Sequence, residues 1–374
     1  MKTYRHQIIA PVLLVILLFF GCEDDKNVVD PRQHIDLPDN FSFNLLPTDL
    51  SRMSEFAAIG QVFVFPKAHG GFTVKNYYSD PDIPVYAMSD GVIHNIRYGT
   101  RTYEGPRAPD ALRGQEYDDF TLNIYLSKTA VMHYGHLSRL APEIFEEGVN
   151  LVKYNEENRV SINIKEGQIV AYIGVHPGFD IGFSDEKITQ YFANPERYPD
   201  NYIYSVPFTD MLPQPLKNEV WEINPRTVAP LGGKISYDIE GTISGNWFLE
   251  GTTSIDEFGN QLIIAYHERF ADRITISDTS PLSDGGGNQN QGKETNMWWI
   301  IGNAPGPENI VLESGKVKLN VATRYKFSTT DSPPSEGTVM FEMMAIDKLK
   351  FEFFEGKLPN EVEDFTALAR MYER

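Results

Sequence analysis

Residues 84–93, Pro84-Val85-Tyr86-Ala87-Met88-Ser89-Asp90-Gly91-Val92-Ile93, read as strand, Asp-Gly turn, strand. Outward from there the same grammar repeats. Phe120-Thr121-Leu122-Asn123-Ile124-Tyr125-Leu126 alternates with period two, and Ala130-Val131-Met132-His133-Tyr134-Gly135-His136 is its expected antiparallel partner. Residues 164–174 make another turn-and-strand unit. Helical signal is thin, with Glu186 to Phe192 the expected short helix. After Pro230-Leu231-Gly232-Gly233 a second set of strands begins: 235–241, 262–267, 297–301, 316–322, 339–344 and 349–354. Residues 284–292 are expected to be a flexible surface loop within this half. Aromatic content of 12%, with 29 Gly and 24 Pro, also favours strands and turns over a helical bundle. The expectation is an all-β chain, with one domain over 46–230 and an antiparallel sandwich or barrel over 231–374.

Charge and cysteine usage narrow the function. The 374 residues carry 33 basic and 52 acidic side chains, formally −19, which argues against a nucleic-acid partner. The one cysteine, Cys22, rules out a disulfide framework or a Cys-based zinc site within the chain. Lys2 and Arg5 precede an apolar run from Ile8 to Phe20, shorter than the roughly 20 residues of a membrane-spanning helix. This is the pattern of a secretory signal. Phe19-Phe20-Gly21-Cys22 resembles a bacterial lipobox. The resemblance implies a signal peptide over 1–21, acylation of Cys22, and a solvated tether over 22–45. The mature protein is then expected in the cell envelope, held to the outer membrane or cell surface by its lipid. A simple secretory signal with an incidental cysteine is the alternative.

Four segments resemble, in order, those of the lysostaphin-type zinc endopeptidases, whose β-fold is the duplicated hybrid motif. Ala68-His69-Gly70-Gly71-Phe72 is similar to the family's first metal segment. Residues 84–93 resemble its "PVYAAADGVV" hairpin, Tyr134-Gly135-His136-Leu137-Ser138 its "YGHLS" segment, and residues 164–174 its "VKKGQVIGYVG" strand. The resemblance implies a zinc ion held by His, Asp and His, activating water against a peptidoglycan cross-bridge. Position by position, the first ligand falls on His69 and the "HLS" catalytic histidine on His136. The Asp ligand falls on Thr73. The closing His-x-His pair falls on Asp180 and Gly182, so two of three ligand positions lack a ligand.

A rebuilt metal set of His69, His136 and Asp180 is conceivable, with Asp80 or Asp82 as replacements for the missing Asp. His176 lies near the lost pair. His133, three residues before His136, falls on the opposite face if the strand is regular. His94 and His267 have no motif around them. The aromatic stretch from Phe183 to Leu216, with acids Asp200 and Asp210, reads either as a binding wall or as packing over the barrel. In the second half, Gly245-Asn246-Trp247-Phe248 resembles the Gly-x-Trp opening of lipocalins, and equally a Trp anchoring any strand core. The expected function is that of an envelope lipoprotein with a degenerate, non-catalytic peptidase-type domain. Such a protein binds cell wall or an envelope protein, regulates envelope hydrolases, and needs no cofactor. The alternatives are an active zinc endopeptidase on peptidoglycan, and a surface recognition lipoprotein that binds through its C-terminal domain.

Overall fold

The computed structural model describes Arg32 and residues 35–62, 66–104, 108–148, 150–155, 158–252, 260–279, 296–323 and 336–374. Cys22, the signal segment and residues 284–292 lie outside them. Among the described residues no helix is long and apolar enough to cross a membrane. Asp36–Arg374 form one compact unit, and its fold is all-β.

The period-two alternation builds the first sheet. In β5 (Glu116–Tyr125), Phe120, Leu122 and Ile124 are buried while the residues between them face outward. In β6 (Ala130–Leu137), Ala130, Met132 and Tyr134 are buried, and the two strands pair antiparallel as their sequences imply. Around them lie β1 (Met53–Ala57), β2 (His69–Val74), β4 (Gly91–Thr102), β8 (Arg159–Ile164) and β10 (Gly178–Asp185). Together they form a seven-stranded sheet in the order β1-β2-β10-β6-β5-β4-β8. A smaller sheet, β3-β9-β7, uses β3 (Ile83–Tyr86), β9 (Ile169–Ile173) and β7 (Arg139–Leu140). One continuous core, including Phe56, Phe72, Ile93, Leu122, Tyr134 and Phe179, binds the two sheets.

The opening stretch is corrected in one respect. Its two strands exist, yet β3 and β4 are not partners: the Asp-Gly turn carries the chain from the small sheet to the large one. Asp90 explains why, since its carboxylate accepts the N–H of Glu166 at 2.9 Å and the Lys165 ammonium at 2.7 Å. The turn is thereby pinned to the β8–β9 connection instead of closing a hairpin.

Two other expectations fail. Residues 186–192 are turn and extended chain, started by the Asp185 side chain accepting the Lys187 N–H and ended by Phe192, which is buried. The helices fall at α1 (Pro142–Glu147), α2 (Asp200–Ile203) and α3 (Gln214–Glu222). Residues 235–241 are not a strand either. Ile235 and Tyr237 are buried, and Asp238 accepts the N–H groups of Ala193 and Asn246, so this backbone bridges neighbours rather than joining a ladder.

The other five expected strands of the second half appear close to their expected positions, and three that the sequence reading did not list, at 245–249, 274–278 and 370–373, join them. β11 (Gly245–Leu249), β12 (Gln261–Tyr266), β13 (Ile274–Asp278), β14 (Asn296–Ile300), β15 (Val317–Thr323), β16 (Gly337–Ala345), β17 (Lys348–Glu355) and β18 (Arg370–Glu373) form a closed antiparallel barrel. Each strand pairs with the next, and β11 closes on β18 through Phe248 and Glu373. Its interior is packed by Trp247, Leu262, Ile276, Val339, Phe341 and Phe351. Arg374 lies over the Trp247 ring at 3.9 Å. Phe248, Ile263 and Ala265 pack outward against Ile59, Val62, Phe192 and Tyr198. The aromatic stretch after Phe183 therefore serves as packing: Phe192 and Tyr198 stack at 4.0 Å under the barrel, and Phe208 is buried against Phe56 and Phe72.

Candidate functional site

Strand alternation sorts the chemistry from the core. In β10, Phe179, Ile181 and Phe183 point into the core, which turns Asp180 and Gly182 outward. In β2, Phe72 and Val74 point inward, so His69, Gly71 and Thr73 share the outer face. The register then sets rows across three strands. Gly182 lies between His69 and His133, and Asp180 lies between Gly71 and Gly135. The glycines make room for the side chains beside them. A Cβ on Gly182 would stand 3.2 Å from His133 Cβ and 3.3 Å from His69 Cβ, and its absence lets those two rings stack at 6.0 Å.

His133 and His136 do not lie on opposite faces, because β6 is not regular. The register slips opposite residues 120–122, and His136 adopts φ +62°, a left-handed conformation rare outside glycine. This bulge turns His136 to Asp180. One carboxylate oxygen, Asp180 Oδ2, lies 3.2 Å from both His69 Nε2 and His136 Nε2. The other nitrogen of His136, Nδ1, lies 3.2 Å from Asp119 Oδ1, and Arg101 Nε donates to Asp119 Oδ2 at 2.6 Å. His176 stacks on the His136 ring at 3.7 Å. His133 Nδ1 lies 3.0 Å from Asn123 Oδ1.

The electrostatics follow from these contacts. Burial works to raise the pKa of Asp180, but hydrogen bonds from His136 and His69 overcome it and hold the carboxyl well below its usual range. Asp119 is lowered in the same way, with burial opposed by His136 and Arg101. Burial works against a charge on His136, yet the two carboxylates outweigh it and raise its pKa. Both ring nitrogens of His136 face carboxylates, which favour its protonated form. His176 and His133 are pushed down to about 4, first by burial, then by the neighbouring histidines His136 and His69 respectively.

The cluster opens on a cavity of about 260 Å³ whose lining includes Glu55, Lys67 and Thr73 of the first half and Glu268 and Arg269 of the barrel. The structure thus brings together His69, His136, His176 and Asp180 of the residues singled out in the sequence. Thr73 lines the cavity but lies four residues along a strand from His69, roughly 13 Å of rise. Asp80 and Asp82 are not replacements, since they pair with Arg52 and Arg139. His94 stacks on Tyr125, and His267 packs against Phe270 and Trp299. Asp119 and Asn123 were missed by motif reading. Their signal was the outward phase of β5, the strand beside "YGHLS". Glu268 and Arg269 gave no signal at all.

The zinc that the family resemblance implies does not fit this donor set. Among the described residues no three His, Cys, Asp or Glu side chains are arranged to hold a metal ion. Both nitrogens of His136 are committed to carboxylates, and Gly182 offers no donor. No protein-family model matches the chain, and no curated protein is significantly similar to it.

Proposed function

We propose that the protein is an envelope-anchored lipoprotein whose first domain is a degenerate lysostaphin-type peptidase domain, one that binds cell-wall peptide without cleaving it. The observation that carries this reading is His136 held between Asp119 and Asp180. An imidazolium that donates from both nitrogens has no lone pair to take a proton from water or to bind a metal. Of the family's three ligand positions, His69, Thr73 and Gly182, only the first carries a nitrogen. What persists is a polar cavity on a rigid sheet, suited to hydrogen-bonding a peptide. The cell-wall partner rests on the four similar segments and on the lipobox-like Cys22. By holding wall peptide the domain would also regulate envelope hydrolases that compete for it.

The test uses the full-length chain in detergent, purified without chelators. Elemental analysis is expected to find zinc well below one per chain even after adding it back. Purified peptidoglycan sacculi should retain the protein and stay turbid. About one zinc per chain, abolished by His69→Ala and accompanied by clearing of sacculi, would establish the active endopeptidase instead. Failure of sacculi to retain the protein would end the wall-binding reading.

A further inference from the structure

The outward phase of β10 leaves a gap in the cavity floor. Gly178, Asp180 and Gly182 share that face, and Gly178 lines the cavity with no side chain of its own. A Cβ there would meet His176 Nδ1 at 3.5 Å, His176 Cε1 at 3.6 Å and Asp180 Oδ1 at 4.0 Å, all ordinary contacts. The space above Gly178 is therefore bounded by the His176 ring on one side and by one particular oxygen of Asp180 on another. On the neighbouring strand Thr73 lies directly opposite Gly178 and also lines the cavity.

The two carboxylate oxygens of Asp180 are unequally used. His69 and His136 both meet Oδ2, while Oδ1 accepts no hydrogen bond among the described residues. Nor is Oδ1 sealed in, since the Asp180 side chain is 23% exposed. A carboxylate has about four acceptor positions, and the histidines occupy two of them. No lysine or arginine among the described residues pairs with Asp180, whereas Glu55 on the same wall is matched by Arg269. Thr73 Oγ1 also makes no hydrogen bond among the described residues. An ammonium group presents three donors on a compact cation and calls for acceptors alone. We propose that the space above Gly178 receives the primary ammonium of a bound wall peptide, held by Asp180 Oδ1 and Thr73 Oγ1. Cross-linking turns such an amine into an amide, so the ligand class is a peptide not yet joined to its neighbour. This rests on the peptide-binding reading given above and narrows it.

The experiment titrates the full-length chain in detergent, by calorimetry, with muropeptides released from purified sacculi by a muramidase. The same pool with its free amines acetylated, which removes their charge, is titrated in parallel. Binding is expected to weaken about tenfold, the worth of one charge-assisted hydrogen bond, for the acetylated pool on the unaltered protein and for the native pool on Gly178→Ala. The alanine methyl meets only ordinary contacts, so this variant should melt with the unaltered chain, and the acetylated pool needs no mutation. Should Gly178→Ala melt early, Thr73→Val, which keeps the shape and removes the hydroxyl, takes its place. Acetylated peptides binding within twofold of native ones would overturn the ammonium site while leaving peptide binding intact. A tenfold loss on acetylation with the variant unaffected would put the amine elsewhere and overturn the assignment to Gly178. Absence of binding between the unmodified pool and the unaltered protein would remove the peptide-binding reading and this inference with it.

Discussion

Asp180→Asn keeps the shape of the side chain and removes the charge shared by His69 and His136. Two consequences are expected. Unfolding by denaturant should show a loss of about 1–3 kcal/mol, the cost of leaving buried polar partners poorly satisfied. The pKa of His136, followed by NMR titration, should fall, because one of its two supporting carboxylates is gone. A pKa of His136 unchanged in the variant would show that Asp180 does not set its charge. The pH dependence of stability has its own sign. His133 and His176 titrate near 4 in the folded chain and near 6.5 when unfolded, so the unfolded state binds more protons between those values. Their contribution is complete above pH 6.5 and is lost as pH falls toward 4, by about 1–3 kcal/mol per group. His136, with a raised pKa, contributes in the other direction above 6.5 and is constant below it. Denaturant midpoints from pH 7 to 4 should therefore fall, and more shallowly in His176→Gln.

At the scale of elements, the site depends on β10 being both a core strand and a wall of the cleft. Phe179 fixes its phase: the side chain is fully buried and meets Tyr134 at 5.6 Å. Phe179→Ala should cost about 3–5 kcal/mol through lost contacts and the cavity left behind. Thermal unfolding together with the His136 titration tests this, since a loosened β10 also withdraws Asp180 from its partners. The bulge in β6 matters in the same way. Without the extra residue at Gly135-His136, alternation would send one of the two histidines into the core beside Met132 and Tyr134.

For the whole molecule, the decisive feature is the apolar layer between sheet and barrel. Phe248, Ile263 and Ala265 of the barrel cover Ile59, Phe192 and Tyr198, and ion pairs Arg269–Glu55 and Arg197–Glu373 fasten the edges. Cutting the chain at Pro230 would expose both faces of that layer and open the cavity. A fragment of residues 36–230 is expected to bind a hydrophobic dye and to self-associate in sedimentation, unlike the uncut chain. A monomeric fragment without dye binding would show that the layer is dispensable.

Much of this was legible locally. Period-two alternation in 120–126 and 130–136 marks strands because successive side chains face opposite sides of a sheet, and that fact is contained in the residues themselves. That Thr73 and Gly182 make no zinc ligands was likewise readable, since a threonine hydroxyl is a poor donor to zinc and glycine has no side chain. Partnership was not readable. Alternation does not say which strand lies next to which, so the Asp-Gly turn at 90–91 read as a hairpin although its strands belong to different sheets. The phase of His136 depends on a bulge that only the pairing of β5 with β6 imposes. Asp119 became a partner of His136, and Arg269 a wall of the cleft, through contacts between residues far apart in sequence. The sequence by itself determined most of the strands; tertiary packing alone decided that three histidines, an aspartate and an arginine from the barrel share one cavity.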